Sequence, residues 1–161
     1  MKARAFIGLG GNLGDARQTL EAAIDRLATH PDIALAGRSR FYRSAPWGVV
    51  DQPDFVNAAI AVDTLLGPHA LLDLLLDTER AFGRVRDGER WGPRTLDLDL
   101  LTYGDAIVHD ERLELPHPRM AQRAFVLLPL SDIDPAYAIP GQGAVGDLLE
   151  TLDTRGCEPL S

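Results

Sequence analysis

Apolar positions recur along this chain in blocks whose spacing changes from strand-like to helix-like and back. Residues 3–9 form a short apolar run that stops at Gly10-Gly11-Asn12, which predicts a buried first strand. Leu20, Ala23, Ile24 and Leu27 then make one helical stripe. Asp15 followed by Gln18 has the form of a capping box, so a helix is predicted from about Asp15 to Thr29. Residues 38–44 and 54–64 predict two strands. In the second, Val56, Ala58, Ile60 and Val62 share one face, and Phe55, Asn57, Ala59 and Ala61 share the other. A second helix fits 68–82, with Pro68 at its first position, Gly83 just past its end, and Leu71, Leu72, Leu75 and Phe82 on its apolar face. Residues 96–103 predict another strand. The proline-rich remainder predicts short strands and helices, with a last helix near 145–152.

Strand, helix, strand, strand, helix, strand is the order of a split βαβ unit. It predicts an α+β chain: a ferredoxin-like antiparallel sheet with helices on one face. At 161 residues the expectation is a single domain spanning 1–161. That architecture hosts many activities, so it does not choose a function.

Composition narrows the classes. The chain is 45% hydrophobic and 25% charged, the balance of an ordinary globular domain. No apolar run approaches the roughly 18 residues of a membrane span, so no membrane partner is expected. The opening residues carry positive charge, but Gly10-Gly11-Asn12 breaks their apolar stretch and they read as a strand, not a signal peptide. A net charge of −8 argues against a nucleic-acid partner held by phosphate neutralisation. The single cysteine, Cys157, excludes an internal disulfide and a thiolate zinc cluster, and fits the reducing cytoplasm. It reads as a free thiol near the C-terminus, in a region, 131–161, that offers no other role.

The acidic chain nevertheless holds a local basic excess. Residues 84–94 carry Arg84, Arg86, Arg90 and Arg94 against Asp87 and Glu89, punctuated by glycine, and run into Thr95-Leu96-Asp97-Leu98-Asp99-Leu100-Leu101. Strand alternation puts Leu96, Leu98 and Leu100 on one face and both carboxylates on the other, about 6.5–7 Å apart. Two such carboxylates can converge on hard cations. The same spacing describes a solvated sheet face, or acids paired with arginines, and spacing alone leaves these open. The arginines add a second argument, because guanidinium forks match phosphate oxygens and magnesium favours a few carboxylates plus substrate phosphates. Together they describe a binder of metal-complexed polyphosphate. Gly8-Leu9-Gly10-Gly11-Asn12-Leu13-Gly14 follows a strand and opens a helix, but Leu13 stands at the third glycine position and no second βαβ half exists, so it is no dinucleotide fingerprint. No G-x-x-x-x-G-K-[ST] phosphate loop or kinase lysine is present either.

Several longer motifs stand in one order. They are G-x-G-G-N-L-G at 8–14, F-Y-R-S-A-P-W-G at 41–48, D-Q-P-D-F-V-N-A-A at 51–59, G-R-V-R at 83–86, R-W-G-P-R-T-L-D-L-D-L-L at 90–101 and L-P-H-P-R-M…R-A-F at 115–125. They span nearly the whole chain and resemble the 6-hydroxymethyl-7,8-dihydropterin pyrophosphokinase family. The resemblance implies a monomer that moves the pyrophosphoryl group of ATP, its co-substrate, to the hydroxymethyl oxygen of a reduced pterin. It implies two magnesium ions on Asp97 and Asp99, and catalytic roles for Arg84, Arg94, Asp97 and Asp99. Along the nucleotide it places Glu79, Arg84, Arg86, Trp91, Arg94, Leu100, Arg112, His117 and Arg123. Around the pterin it places Gly10, Ser44, Pro46, Trp47 and Asn57, with Phe55 and Phe125 as the sandwiching rings. Phe55 and Pro118 stand where some members have tyrosine, and Pro118 is left out of the site.

The residues themselves support such a pocket. Phe55 and Asn57 share the sheet side expected for Asp97 and Asp99, an amide complements the donor–acceptor edge of a pterin, and flat heterocycles favour aromatic faces. Loops at about 45–53 and 84–93 are expected to close over the substrates. Two alternatives remain at this stage. A nucleotide-sugar transferase also uses D-x-D, and a ferredoxin-like ligand-binding module would need no chemistry.

Overall fold

The computed structural model describes residues 2–12, 14–45, 54–83 and 95–160. Chain order is β1 (Ala3–Gly11), α1 (Ala16–Ala28), β2 (Ile33–Arg38), β3 (Tyr42–Ser44), β4 (Phe55–Thr64), α2 (Pro68–Ala81) and β5 (Asp97–Tyr103). There follow β6 (Val108–His109), β7 (Glu114–Leu115), a 3-10 turn at Met120–Gln122, α3 (Ala124–Ile133), β8 (Ala138–Ile139), β9 (Gly143–Ala144), α4 (Val145–Glu150) and β10 (Cys157–Pro159).

The main sheet runs β10-β3-β4-β1-β5, and β2 also pairs with β4. Every one of its pairings is antiparallel. β2 and β3 share one edge of β4, where a single strand over 38–44 was expected. The break between them is held by Ser39, whose hydroxyl accepts the Ala59 N–H at 2.9 Å and donates to the Arg40 carbonyl at 2.7 Å. A side chain thus takes the place of a ladder carbonyl, and the strand bends there.

Local signals explain the two helices of the split βαβ unit. The Asp15 carboxylate caps α1 by accepting the Gln18 N–H at 3.1 Å. Pro68 starts α2, and Gly83 ends it with φ of +86°, a left-handed conformation that favours glycine. Both helices lay their stripes on one face of the sheet. Leu20, Ile24 and Leu27 of α1 and Leu71 and Leu75 of α2 meet Ile7, Leu9, Ala58, Ile60, Val62, Leu98 and Leu100. Burying each large aliphatic side chain contributes about 1.5–3 kcal/mol.

The ferredoxin-like expectation is met by this sheet, with one addition. Helices on one face describes α1 and α2 only, because α3 and α4 cover part of the opposite face. There Met120, Leu127, Leu130 and Val145 pack on Phe6, Ala59, Ala61 and Leu101. α3 escapes periodicity because Ala124 to Leu130 is apolar on every side and carries Pro129 within it. Proline there removes the helix bond that the Phe125 carbonyl would otherwise accept, and normally argues against a helix. Burial between the sheet and the C-terminal segment outweighs that loss. Among the described residues, no helix is long and apolar enough to cross a membrane.

Candidate active site

On the face shared with α3, the far end of the sheet lies beyond the apolar cluster and carries the polar residues. Gly10 of β1 is in register with Asn57 of β4 on one side and Asp97 of β5 on the other. Gly8 stands likewise between Ala59 and Asp99. Directly opposed residues are about 4.5–5.5 Å apart, so Asn57 and Asp97 face one another across roughly 10 Å of bare backbone. Space is tight at this glycine. A Cβ on Gly10 would lie 2.9 Å from the Asn57 Nδ2. The two carboxylates are half-exposed, while their neighbours Leu98 and Leu100 are buried on the other face.

Ser44 of β3 extends this row. Its hydroxyl donates to the Asn57 Oδ1 at 2.6 Å, and both side chains are buried. With its oxygen so occupied, the amide of Asn57 offers its Nδ2 hydrogens to a ligand. Phe55, directly opposite Ser44, is partly exposed. Phe125, the second residue of α3, is partly buried against the α3 cluster. The guanidinium of Arg123 sits 5.5 Å from the centre of the Phe125 ring, a cation–π distance.

β5 supports a second set of residues. Its register against β1 shifts between Phe6 and Ile7, which leaves Leu101 as an extra, unpaired residue in that ladder. The Leu101 carbonyl accepts the backbone N–H of His117 at 2.8 Å, so the bulge anchors the 115–118 segment against the strand. Burial, reinforced by the charges of Arg123 and Arg119 and only partly opposed by Glu114, lowers the His117 pKa to about 4. The imidazole is therefore neutral near pH 7. Its Nδ1 accepts the Arg119 N–H at 3.3 Å, which leaves the proton on Nε2 as a donor.

His117 opens onto a cavity of about 450 Å³ at the edge of β5. Leu72 and Leu76 of α2, Leu98 and Leu100 of β5, and Leu113 give it apolar walls, and Asp99, Arg112 and Glu114 add polar groups. Arg112 is ion-paired with Asp73 of α2, which braces the segment before β7 against that helix. Asp110 completes the brace, accepting the N–H of Arg112 at 2.9 Å and bonding His69 at 2.7 Å.

The structure thus brings Gly10, Ser44, Phe55, Asn57, Asp97 and Asp99 to one face, and Leu100, Arg112 and His117 to one cavity. Glu79, expected along the nucleotide, has a structural bond of its own. It is buried at the free edge of β5, where its Oε2 accepts the Leu98 N–H at 2.6 Å. Burial in the helix–sheet layer makes it a support for the strand. Pro46, Trp47, Arg84, Arg86, Trp91 and Arg94 lie outside the described residues, as do nearly all of both loops expected to close. Sequence reasoning missed Leu72, Leu76, Leu98 and Leu113. Leu72 and Leu76 stand four apart, one position round from the buried Leu71 and Leu75, and that offset was the available signal.

The profile of the 7,8-dihydro-6-hydroxymethylpterin-pyrophosphokinase (HPPK) family matches residues 6–135. This chain belongs to that family. It is 50% identical over 155 residues to the 2-amino-4-hydroxy-6-hydroxymethyldihydropteridine pyrophosphokinase of Methylorubrum extorquens, covering 96% of this chain and 97% of that protein. The Pseudomonas aeruginosa enzyme of the same name is 44% identical over 157 residues, covering 98% of this chain and 96% of that one. Among solved structures, wild-type Plasmodium falciparum HPPK-DHPS superposes with a TM-score of 0.75 at 15% identity, covering 93% of this chain and 44% of that one. An HPPK-DHPS in complex with substrates gives 0.77 at 13% identity, covering 99% and 46%. This chain spans less than half the length of those two structures, and at such identity they bear on the fold alone. Within an HPPK the D-x-D needs neither a sugar-transferase reading nor that of a non-enzymatic module.

Proposed function

We propose that this HPPK transfers the pyrophosphoryl group of ATP to the hydroxymethyl oxygen of 6-hydroxymethyl-7,8-dihydropterin, releasing AMP and the pterin diphosphate, as a step of folate biosynthesis in the cytoplasm. The observation that carries this reading is the row Asn57–Gly10–Asp97, which joins an amide suited to a pterin edge to an acidic pair suited to a metal-bound phosphate, with no side chain between them.

The pterin would lie across Gly10, its donor–acceptor edge on Asn57 and Ser44 and its faces against Phe55 and Phe125. That leaves its hydroxymethyl arm directed along the row toward Asp97. The cavity at the edge of β5 would take the nucleoside, with its base between the leucines and its phosphates running toward Asp99. His117 Nε2–H and the Arg123 guanidinium would donate to phosphate oxygens, as would Arg84, Arg94 and Arg86 of the preceding loop. Trp91 of that loop, and Pro46 and Trp47 of the other, would close over the two substrates.

Asp97 and Asp99 fit magnesium in kind: two carboxylates next but one on a strand, half-exposed, facing glycine positions that leave room for phosphate oxygens. We assign two ions to them; magnesium bound there would neutralise charge on the bridging and terminal oxygens of the triphosphate. The rest is alignment. The alcohol oxygen attacks the β-phosphorus, the bond to the α-phosphate oxygen breaks, and AMP leaves. No activated serine, cysteine or lysine stands in the described row, and direct transfer needs none.

The decisive experiment incubates the protein as a monomer with ATP, magnesium and 6-hydroxymethyl-7,8-dihydropterin. Formation of AMP and pterin diphosphate in equal amounts supports the reading. ADP as the nucleotide product, or no pterin-dependent turnover, would overturn it.

A further inference from the structure

Tyr42 is a buried tyrosine that the proposed reaction does not use. It lies on β3 directly opposite Asn57, so its side chain is on the face that carries the pterin row and α3. Its hydroxyl is 2.9 Å from each carboxylate oxygen of Asp132, near the end of α3. Arg40 closes the group. Its Nε and Nη2 donate to the two oxygens of Asp132 at 3.2 and 3.1 Å, its backbone N–H donates at 3.1 Å, and Nη2 also reaches the Tyr42 oxygen at 3.0 Å.

The helix geometry gives this cluster its consequence. Asp132 follows Phe125 by seven residues, or two turns, so both lie on one stripe of α3 about 10.5 Å apart along its axis. Holding Asp132 against Tyr42 therefore restrains the rotation of α3 about its axis and its height over β3, across the one helix bond that Pro129 removes. Those two quantities place the ring of Phe125. The same Tyr42 is two residues from Ser44, which bonds Asn57. We propose that the Tyr42–Asp132 bond, backed by Arg40, is a strut that positions Phe125 of α3 over the pterin side of the sheet. It sets pterin affinity without touching the pterin. This rests on the function proposed above.

Charge is consistent with a permanent strut. Burial opposes the Asp132 carboxylate, but hydrogen bonds from Arg40 and Tyr42 outweigh it and hold its pKa below the ordinary carboxylate value. Burial, then the bond to Asp132, pushes the Tyr42 hydroxyl up to about 12, so it remains a donor across the working pH range. Solvent screens the exposed Arg40, so the strut depends chiefly on the tyrosine hydroxyl.

The test compares the wild-type protein with Tyr42→Phe, Asp132→Asn and Arg40→Ala. KM for the pterin and for ATP are read from AMP release, and melting temperatures are measured in parallel. Tyr42→Phe keeps the ring and its packing but removes the donor. The expected result is a pterin KM raised about tenfold, about 1.4 kcal/mol of binding free energy, with ATP KM within about twofold. Arg40→Ala should raise the pterin KM less than Tyr42→Phe does. Asp132→Asn, which keeps an oxygen acceptor, should fall between them, and it carries the test alone if Tyr42→Phe does not fold. An unchanged pterin KM in the variants overturns the strut. So does a parallel rise in both KM values, which would mark general loosening. A wild-type protein that makes no AMP from the pterin removes the function itself, a result separate from any difference among variants.

Discussion

The buried carboxylate of Glu79 accepts the N–H of Leu98 at 2.6 Å, at the free edge of the strand that presents Asp97 and Asp99. A helix on one face of the sheet thereby holds the backbone between two acidic residues on the other. Glu79→Gln keeps an oxygen for Leu98 and should retain most of the stability and turnover. Glu79→Ala leaves a buried N–H unsatisfied and should cost about 1–3 kcal/mol. Chemical denaturation with parallel kcat measurements checks both. Equal behaviour of the two variants would count against the support role.

Asp97→Ala and Asp99→Ala test the metal assignment. Each removes one of the two carboxylates proposed to hold magnesium, and turnover should fall by at least about a hundredfold at ordinary magnesium concentrations. The fold should be undisturbed, because both side chains are half-exposed and lie away from the apolar layer. A circular-dichroism melt matching wild type together with lost AMP release is the expected pair of results. Near-normal turnover in both variants would sink the assignment.

Gly10→Ala probes the bare floor. The added methyl would meet the Asn57 Nδ2 at 2.9 Å, so the amide that bonds Ser44 would have to shift. Pterin KM should rise about tenfold, in keeping with one disturbed hydrogen bond, while ATP KM changes little. Steady-state kinetics with each substrate varied in turn would show it. An alanine variant with wild-type pterin KM would mean that the ligand does not cross this position.

Much of this arrangement is legible in sequence because it depends on alternation. Asp97 and Asp99 share a face with Asn57 by parity alone, and the stripes of α1 and α2 follow from spacing of 3 and 4. What parity cannot show is register. That Gly10 stands opposite both Asn57 and Asp97 depends on pairings between β1, β4 and β5, which no local pattern encodes. The same limit hid Cys157, which reads as a tail residue but pairs with Ser44 across β10 and β3. Burial pushes its thiol up to about 11. The support that Glu79 gives β5 was hidden for the same reason. An acidic residue in the last turn of a helix carries no local sign of the strand N–H that it accepts. α3 was hidden by its own uniform hydrophobicity.

His117 makes stability depend on acidity in a defined direction. Its pKa is about 4 in the folded protein, below the roughly 6.5 of an unfolded chain. Between those values the unfolded state binds the extra proton and the folded state does not, so folding weakens as pH falls. The stability at issue is complete above about pH 6.5 and is lost progressively toward pH 4. By pH 5 this residue alone should cost about 2 kcal/mol. A His117→Gln variant, which cannot titrate, should lose less stability than wild type between pH 7 and pH 5 in denaturant midpoints. Bound ATP should shift the wild-type imidazole upward, since phosphate charge near Nε2 favours the protonated ring. A ring-proton titration by NMR with and without nucleotide would read that shift. An imidazole titrating near 6.5 in the free protein would show that it is not desolvated, and its burial against β5 would have to be abandoned.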